Sequence, residues 1–238
     1  MVSTIGAIIC AAGQGKRMGL GHNKQFVELD GIPLLVHTLK RLTQTTMIET
    51  FVVVVGHGEV DKVTSLLSQY KLPSGIHVIT GGDERQDSVY EGVKHMASLA
   101  ETPDIVLVHD GARPFIDELD LDRVVNEAQR EGAAIFAVPV TDTIKETDQH
   151  QHVSQTLDRT KLWAVQTPQA FRYSLLKEGH ESAKERHIYM TDDAALVERL
   201  DKRVVIVEGS RYNIKLTTPE DLTYAQVLLR MKQEGNRE

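Results

Sequence analysis

Near the start of the chain, glycines flanked by small residues and followed by cations form the run Ala11-Ala12-Gly13-Gln14-Gly15-Lys16-Arg17-Met18-Gly19. Small residues let a backbone come close to a ligand and expose its N–H groups to phosphate oxygens. Arg17 and, beyond the loop, Lys24 add cationic donors suited to a polyphosphate. The spacing excludes two commoner nucleotide sites. A dinucleotide loop needs a third glycine where this chain has Met18, and an acid after the second strand, where Val55 leads into Gly56-His57. A P-loop needs four residues between its glycines and then Lys-Ser or Lys-Thr, which the loop lacks. A glycine pair after a strand can serve only as a tight turn, but the cations that follow in order favour phosphate binding.

The elements that must hold this loop show in the hydrophobic pattern. Aliphatic runs at Ile5–Cys10, Phe51–Val55, Ile76–Ile79, Ile105–Val108, Ala133–Val138 and Val204–Val207 alternate with helix-length amphipathic segments. Continuous runs of this kind predict strands buried on both faces of a mainly parallel sheet, hence an α/β fold. Helical spacing covers Pro33–Leu42, Glu59–Tyr70, Arg85–Leu99 and Leu119–Glu131. A last helix opens at Thr217-Thr218-Pro219-Glu220-Asp221, a hydroxyl cap with Pro and early acids. Residues 141–165 break the rhythm: they are polar, weakly alternating, and too long for an ordinary loop. They predict a protruding β-arm on a single domain spanning 1–238, and such an arm can pair with its twin across a two-fold axis.

Composition narrows the partners. The 238 residues are 41% hydrophobic and 26% charged, ordinary for a soluble globular protein. A net charge of −7 gives no global field for nucleic acid, so an anionic substrate must meet locally placed Lys and Arg. The one cysteine, Cys10, excludes an intramolecular disulfide, no Cys/His spacing suggests zinc, and its apolar surroundings suggest a structural thiol. No run is long enough to span a bilayer, and the first residues read as a strand without the basic start of a signal peptide, so the expected compartment is the cytoplasm.

Further motifs follow in order. After the first loop come Asn23-Lys24-Gln25-Phe26, Gly81-Gly82-Asp83-Glu84-Arg85-Gln86-Asp87-Ser88-Val89 and Val108-His109-Asp110-Gly111-Ala112-Arg113-Pro114-Phe115. Then come Pro139-Val140-Thr141-Asp142-Thr143-Ile144-Lys145, Arg159-Thr160-Lys161-Leu162-Trp163-Ala164-Val165-Gln166-Thr167-Pro168-Gln169, Thr191-Asp192-Asp193-Ala194 and Asn213-Ile214-Lys215-Leu216-Thr217. From Ile5 to about Leu228 the series resembles the 2-C-methyl-D-erythritol 4-phosphate cytidylyltransferases of the non-mevalonate isoprenoid pathway, within the nucleotidyltransferases that make sugar nucleotides. Gly111 is a small departure, since these enzymes often carry Ala there. The related ribitol-5-phosphate cytidylyltransferases are the alternative. Ala-Ala-Gly in the first loop, Ala112 before Arg113 and the Leu162-Trp163 pair speak against them. A non-enzymatic sugar-nucleotide-binding regulator on the same fold is a third reading. Loss of Lys24, Asp110 or Lys215 would favour it, and all three are present.

The resemblance implies a Rossmann-like three-layer α/β/α fold and transfer of CMP from CTP to the polyol phosphate, giving 4-diphosphocytidyl-2-C-methyl-D-erythritol and pyrophosphate. A phosphate dianion is already a nucleophile, so positioning and charge neutralisation suffice. Arg17, Lys24 and Lys215 are the implied catalytic cations, with all three expected at the carboxyl ends of strands. Ala11, Ala12, Gly13, Gly15 and Asp110 face the nucleotide, and Gly82, Asp83 and Ser88 read cytosine. An equally plain role for Asp83 and Ser88 is to cap the helix that follows. Asp110 is the implied Mg²⁺ ligand, a single carboxylate being enough beside phosphates and water; pairing with Arg113 is the competing role. Strand alternation turns His109 to the other face. Arg113, Thr143, Arg159, Thr167, Thr191 and Lys215 are the implied polyol-phosphate residues, with Thr143 and Arg159 on the arm of a homodimer. For Asp192 and Asp193 a helix-capping role is preferred.

Overall fold

The aliphatic runs become strands because Val and Ile fit a pleated surface covered on both sides. The computed structural model describes residues 3–13 and 24–235. In chain order these form β1 (Ile5–Cys10), a 3-10 turn (Lys24–Phe26), β2 (Glu28–Leu29), β3 (Ile32–Pro33), α1 (Leu34–Leu42), β4 (Thr50–Val55) and α2 (Val60–Leu67). There follow β5 (Ile76–Thr80), α3 (Arg85–Ala97), β6 (Ile105–Asp110), α4 (Glu118–Glu131), β7 (Ala133–Pro139), β8 (Lys145–Thr147) and β9 (Val153–Thr156). The chain ends through a 3-10 turn (Arg159–Lys161), β10 (Trp163–Arg172), α5 (Tyr173–Glu185), α6 (Asp193–Glu198), β11 (Val205–Glu208) and α7 (Pro219–Gly235).

Seven strands make one sheet in the order β11-β7-β10-β6-β1-β4-β5. β10 runs antiparallel between β6 and β7, and the other pairings are parallel. Side chains alternate across the sheet, so each strand feeds two cores. On one face Ile9, Val53 and Leu107 meet Leu39 of α1, Val63 of α2 and Val124 of α4. On the other, Ile8, Val52 and Val106 meet Val93 of α3, Leu176 of α5 and Val197 of α6. Each fully buried Val or Leu contributes about 1.5–3 kcal/mol relative to an exposed one. The expected three-layer α/β/α arrangement is therefore the observed one. α7 packs separately, through Ala225 and Leu228, on Leu29, Leu34 and Phe115. It opens as expected at Thr217-Thr218: the Asp221 carboxylate accepts both backbone N–H groups at 2.7 and 2.8 Å.

The sequence pattern misplaces several features. β10 is not foreseen, because Gln166, Thr167, Pro168 and Gln169 interrupt its apolar run; the three polar ones are buried and bonded to other parts of the fold. α5 is likewise unforeseen, whereas α6 opens at the helix cap expected at Asp192. The arm is shorter than expected. β8 and β9 form an antiparallel hairpin whose residues are all exposed, but Trp163 and Val165 already pair with Pro139 and Ala137 of β7. The helix after the Gly81-Gly82 turn is capped by Glu84 and Asp87, each bonded to the other's backbone, with neither Asp83 nor Ser88 in that role. Lys215 does not end a strand: β11 stops at Glu208, and 209–218 is an irregular segment.

Candidate active site

The parallel strands end along one edge of the sheet, at Cys10, Val55, Thr80 and Asp110, which is where open α/β sheets bind ligands. Asp110, the last residue of β6, lies opposite Cys10 of β1 and is 6% exposed. Lys215 Nζ stands 2.8 Å from its Oδ2 and Arg113 Nε 3.4 Å from the same oxygen, while Arg85 Nε is 3.8 Å from Oδ1. Burial pushes the Asp110 carboxyl up, but Lys215, then Arg85 and Arg113, overcome it and hold the group well below the usual carboxylate range. Burial also pushes the Cys10 thiol up to about 12, which fits the structural role expected of it.

The irregular segment that carries Lys215 is clamped on both sides. Arg113 Nη1 donates to the Asn213 carbonyl at 2.7 Å, Asn213 Nδ2 donates to the Thr167 carbonyl at 2.9 Å, and the Leu216 N–H donates to the Ala112 carbonyl at 2.9 Å. Asn213, which carries no role in the sequence reading, is thus the joint between β10 and Lys215.

Beneath Asp110 a short chain of hydrogen bonds fixes a proton inventory. The Asp110 N–H donates to Thr167 Oγ1 at 2.9 Å, and Thr167 Oγ1 lies 3.2 Å from His109 Nδ1. His109 Nε2 lies 3.1 Å from the Arg113 carbonyl, which can only accept, so the ring proton belongs on Nε2 and Nδ1 accepts from Thr167. Burial pushes His109 down to about 4, which keeps it neutral. His109 is fully buried, and it supports both Thr167 and Arg113. The Thr167 hydroxyl spends its one O–H donor on His109 Nδ1 and retains only acceptor capacity.

Arg85 is the residue that the sequence reading missed. It lies within the Gly81–Val89 motif yet receives no role there. Its Nη1 is 2.8 Å from Asp193 Oδ2, and Asp193 Oδ1 is 3.1 Å from His180 Nε2. The available signal is a cation in the first turn of a helix, against the helix dipole, which requires a fixed carboxylate beside it.

The remaining predicted residues fall into three groups. Ala11 is buried at the end of β1, with Ala12 and Gly13 progressively more open. Gly81 and Gly82 press against the first turn of α3: a Cβ on Gly82 would sit 2.4 Å from Asp87 Cβ, and one on Gly81 2.5 Å from Ser88 Oγ. Ser88 is buried and donates to the Gly82 carbonyl at 3.3 Å, whereas the Asp83 side chain is open to solvent, 3.9 Å from His57. Arg113, Thr167 and Lys215 gather at Asp110. No hydrogen bond or ion pair among the described residues joins Thr143, Arg159 or Thr191 to that cluster. Thr143 and Arg159 sit on the exposed arm, where Arg159 Nη1 donates to the Thr141 carbonyl at 2.7 Å. Thr191 is exposed just before α6; Asp192 caps that helix through the Ala195 N–H, as expected, whereas Asp193 is buried against Arg85 and His180. Gly15, Arg17 and the Lys24 side chain lie outside the described residues.

Among the described residues no group of three or more His, Cys, Asp or Glu could hold a metal by itself. Asp110 supplies one ionised carboxylate already facing cations, so the donor set fits a Mg²⁺ ion whose other ligands are phosphate oxygens and water. It fits no ion held by protein alone.

Comparison with known proteins gives the family. A family model of 2-C-methyl-D-erythritol 4-phosphate cytidylyltransferase matches residues 5–231. The enzyme of that name from Geobacillus kaustophilus is 50% identical over 223 residues, covering 94% of this chain and 96% of the relative. The one from Shouchella clausii is 48% identical over 227 residues, covering 95% and 97%. A solved 4-diphosphocytidyl-2C-methyl-D-erythritol synthase from Anaerococcus prevotii has a TM-score of 0.84 at 31% identity, with 96% of each chain covered. The cytidylyltransferase from Thermus thermophilus has a TM-score of 0.74 at 31% identity, covering 94% of this chain and 98% of that one. With these motifs and this sheet, the chain belongs to the 2-C-methyl-D-erythritol 4-phosphate cytidylyltransferase family.

Proposed function

We propose that the cations gathered at Asp110 are where this cytidylyltransferase joins CMP to its polyol phosphate. The enzyme transfers CMP from CTP to 2-C-methyl-D-erythritol 4-phosphate, giving 4-diphosphocytidyl-2-C-methyl-D-erythritol and pyrophosphate. The comparisons favour this acceptor over ribitol 5-phosphate. The observation that carries the site reading is the convergence of Lys215, Arg113 and Arg85 on one buried carboxylate at the carboxyl edge of the sheet.

In this reading a phosphate oxygen of the acceptor attacks the α-phosphorus of CTP, a P–O bond forms, and the bond to the pyrophosphate oxygen breaks. The attacking dianion needs no base, and His109 beneath the site is not one: it is buried and neutral with both nitrogens engaged. Lys215 and Arg113 turn from Asp110 to the phosphate oxygens and hold the reacting groups in line. Arg17 and Lys24 carry the charge that grows on the leaving pyrophosphate, by family resemblance. Asp110 would hold Mg²⁺, which neutralises triphosphate charge when bound. Ala11, Ala12, Gly13 and Gly15 offer backbone to the phosphates. Gly82 and Asp83 read cytosine through their backbone, with Ser88 holding the turn from below. Thr167, left with acceptor capacity only, suits a polyol hydroxyl better than a phosphate oxygen. Thr143 and Arg159 complete the polyol pocket from the arm of a second subunit, with Thr191 at its edge.

The reading includes a cytoplasmic homodimer of one domain per chain. Among the described residues no helix is long and apolar enough to cross a membrane. The test is pyrophosphate release with CTP and Mg²⁺ against 2-C-methyl-D-erythritol 4-phosphate, ribitol 5-phosphate and other polyol phosphates. Release should be fastest with the erythritol compound. A faster reaction with ribitol 5-phosphate, or none with any acceptor, would overturn the assignment.

A further inference from the structure

We propose that Arg85 is a positioning residue, the standing counter-ion that keeps Asp110 in place once Lys215 and Arg113 have turned to phosphate. The inference rests on the reading of the Asp110 cluster given above and goes beyond it in the division of labour among the three cations.

Among the described residues Lys215 and Arg113 have no carboxylate partner other than Asp110. Lys215 is 34% exposed and free to follow an incoming anion, and multiply charged phosphates are stronger partners than one carboxylate. If every protein cation left in this way, Asp110 would be a buried charge without a partner until a metal reached it, an unfavourable state, and nothing in the protein would fix its carboxylate in position. Arg85 cannot leave so easily. Its Nη1 is bound at 2.8 Å to Asp193, whose side chain is only 1% exposed and cannot be left unpaired either. Burial pushes the Asp193 carboxyl up, but Arg85 and then His180 bring it below its ordinary value, so it is a permanent anion. Arg85 stays charged in turn, since a guanidinium does not give up its proton in a protein.

The anchor extends one residue further. His180 Nε2 meets the other Asp193 oxygen at 3.1 Å, and since a carboxylate only accepts, Nε2 carries the proton. The His180 ring is itself buried and stacked on Tyr90 with centroids 5.9 Å apart. Three helices on one face of the sheet, α3 through Arg85, α5 through His180 and α6 through Asp193, are thereby pinned to the end of β6. The planar guanidinium suits this place because it meets two carboxylates at once, Asp193 through Nη1 and Asp110 through Nε. Arg85 and Asp193 also cancel each other's charge, so the pair should contribute more to geometry than to the attraction of substrate.

That separation is measurable. Arg85→Gln, Arg85→Lys, Asp193→Asn, His180→Gln, His180→Leu and the double variant Arg85→Gln/Asp193→Asn are assayed for kcat, for KM of both substrates and for thermal unfolding. Arg85→Gln should lower kcat about thirtyfold to a hundredfold, the scale of a misplaced reacting group, with KM for CTP changed by roughly threefold at most. Arg85→Lys should fall between, because one ammonium cannot span both acids. Asp193→Asn should lower kcat less than additively on the Arg85→Gln background, since it acts through that residue. His180→Gln, which keeps an N–H donor, should retain more activity than His180→Leu. If a variant lacking Arg85 or Asp193 does not fold, the His180 pair and Arg85→Lys still decide the matter. Unchanged kcat in folded Arg85→Gln, additive losses in the double variant, or a raised KM for CTP at normal kcat would overturn the proposal. Asp110→Asn separates the two levels: wild-type turnover there removes the site reading itself, whereas an inactive Asp110→Asn beside an active Arg85→Gln removes only the role of Arg85.

Discussion

Replacing Asp110 with Asn should make the ligand-free protein less stable, make metal-free pyrophosphate bind more tightly, and abolish most turnover. The side chains of Lys215, Arg113, Arg85, Asp110 and Asp193 sum to one positive charge, and the substitution makes that two. Removing one partner of a wholly buried ion pair costs about 3–5 kcal/mol. Here Lys215 and Arg85 are 34% and 30% exposed and can turn to water, and Arg113, at 11%, keeps its bond to the Asn213 carbonyl. The loss should therefore be about 1–3 kcal/mol, or roughly 3–10 °C in Tm for a chain of this length. The same change removes an anion from the place where pyrophosphate must sit. Two charges in contact interact by about 1 kcal/mol in water and about 4 kcal/mol near a protein surface, so a gain of about 1–2 kcal/mol, close to tenfold in Kd, is expected at this partly open site. Calorimetric titration of pyrophosphate in chelator reads the affinity, and thermal unfolding reads the stability. Turnover with Mg²⁺ should drop by about a hundredfold or more, the scale of losing one electrostatic contact at a reacting phosphate. Weaker metal-free pyrophosphate binding in Asp110→Asn would refute the view that Lys215 and Arg113 are shared between Asp110 and phosphate. Near-normal activity with unchanged Mg²⁺ dependence would refute the metal assignment.

Gly82→Ala puts a Cβ 2.4 Å from Asp87 Cβ, so the turn or the start of α3 must move. It should cost about 1–3 kcal/mol in denaturant unfolding and raise KM for CTP more than KM for the polyol phosphate; an unchanged KM for CTP argues against cytosine reading by this backbone. Lys215→Ala should depress kcat more than it weakens CTP binding, and a normal kcat with a raised CTP KM would make Lys215 a binding residue only. Mixed dimers of Arg159→Ala and Lys24→Ala chains should regain part of the activity if each arm completes its partner's pocket. Confirmed heterodimers with no activity above the parent variants would assign the arm to its own subunit.

Four of the six aliphatic runs, those of β1, β4, β6 and β7, were legible because they are almost wholly buried, whereas the edge strands β5 and β11 are only partly covered and show through their Val and Ile alone. β10 was not, since its centre is Gln166-Thr167-Pro168-Gln169. These polar residues survive in the middle of a sheet because each is satisfied from another part of the fold. Gln166 bonds Ser210, Thr167 bonds Asp110 and His109, and Gln169 bonds Asp192 and Ala194. Their partners lie 23 to 58 positions away in sequence, and no local pattern can announce such pairs. Asp110, Arg113 and Lys215 were legible as motif positions, and the fold does bring them together. Arg85 stood in plain view within a motif but without a role, because its importance depends on Asp193, 108 positions further along.

A site for a triphosphate and a phosphate monoester needs several cations close together before either ligand arrives, and like charges held that way repel and disorder one another. In the proposed site Asp110 resolves this by standing where the phosphates would stand. It draws Lys215, Arg113 and Arg85 to within 4 Å of one carboxylate and keeps them ordered in the ligand-free protein. In that reading the arrangement would lower affinity, since each anion must displace an internal one, but the cations are already placed when it does so. That exchange favours turnover over tight binding, because contacts that only deepen ground-state binding leave the chemical barrier unchanged. It also explains the neutral scaffold beneath the charges. A backbone N–H on Thr167, a Thr167 proton on His109 and a His109 proton on the Arg113 carbonyl hold Asp110 and Arg113 in register with no further charge. The frame can then stay fixed while the partners of Lys215 and Arg113 change.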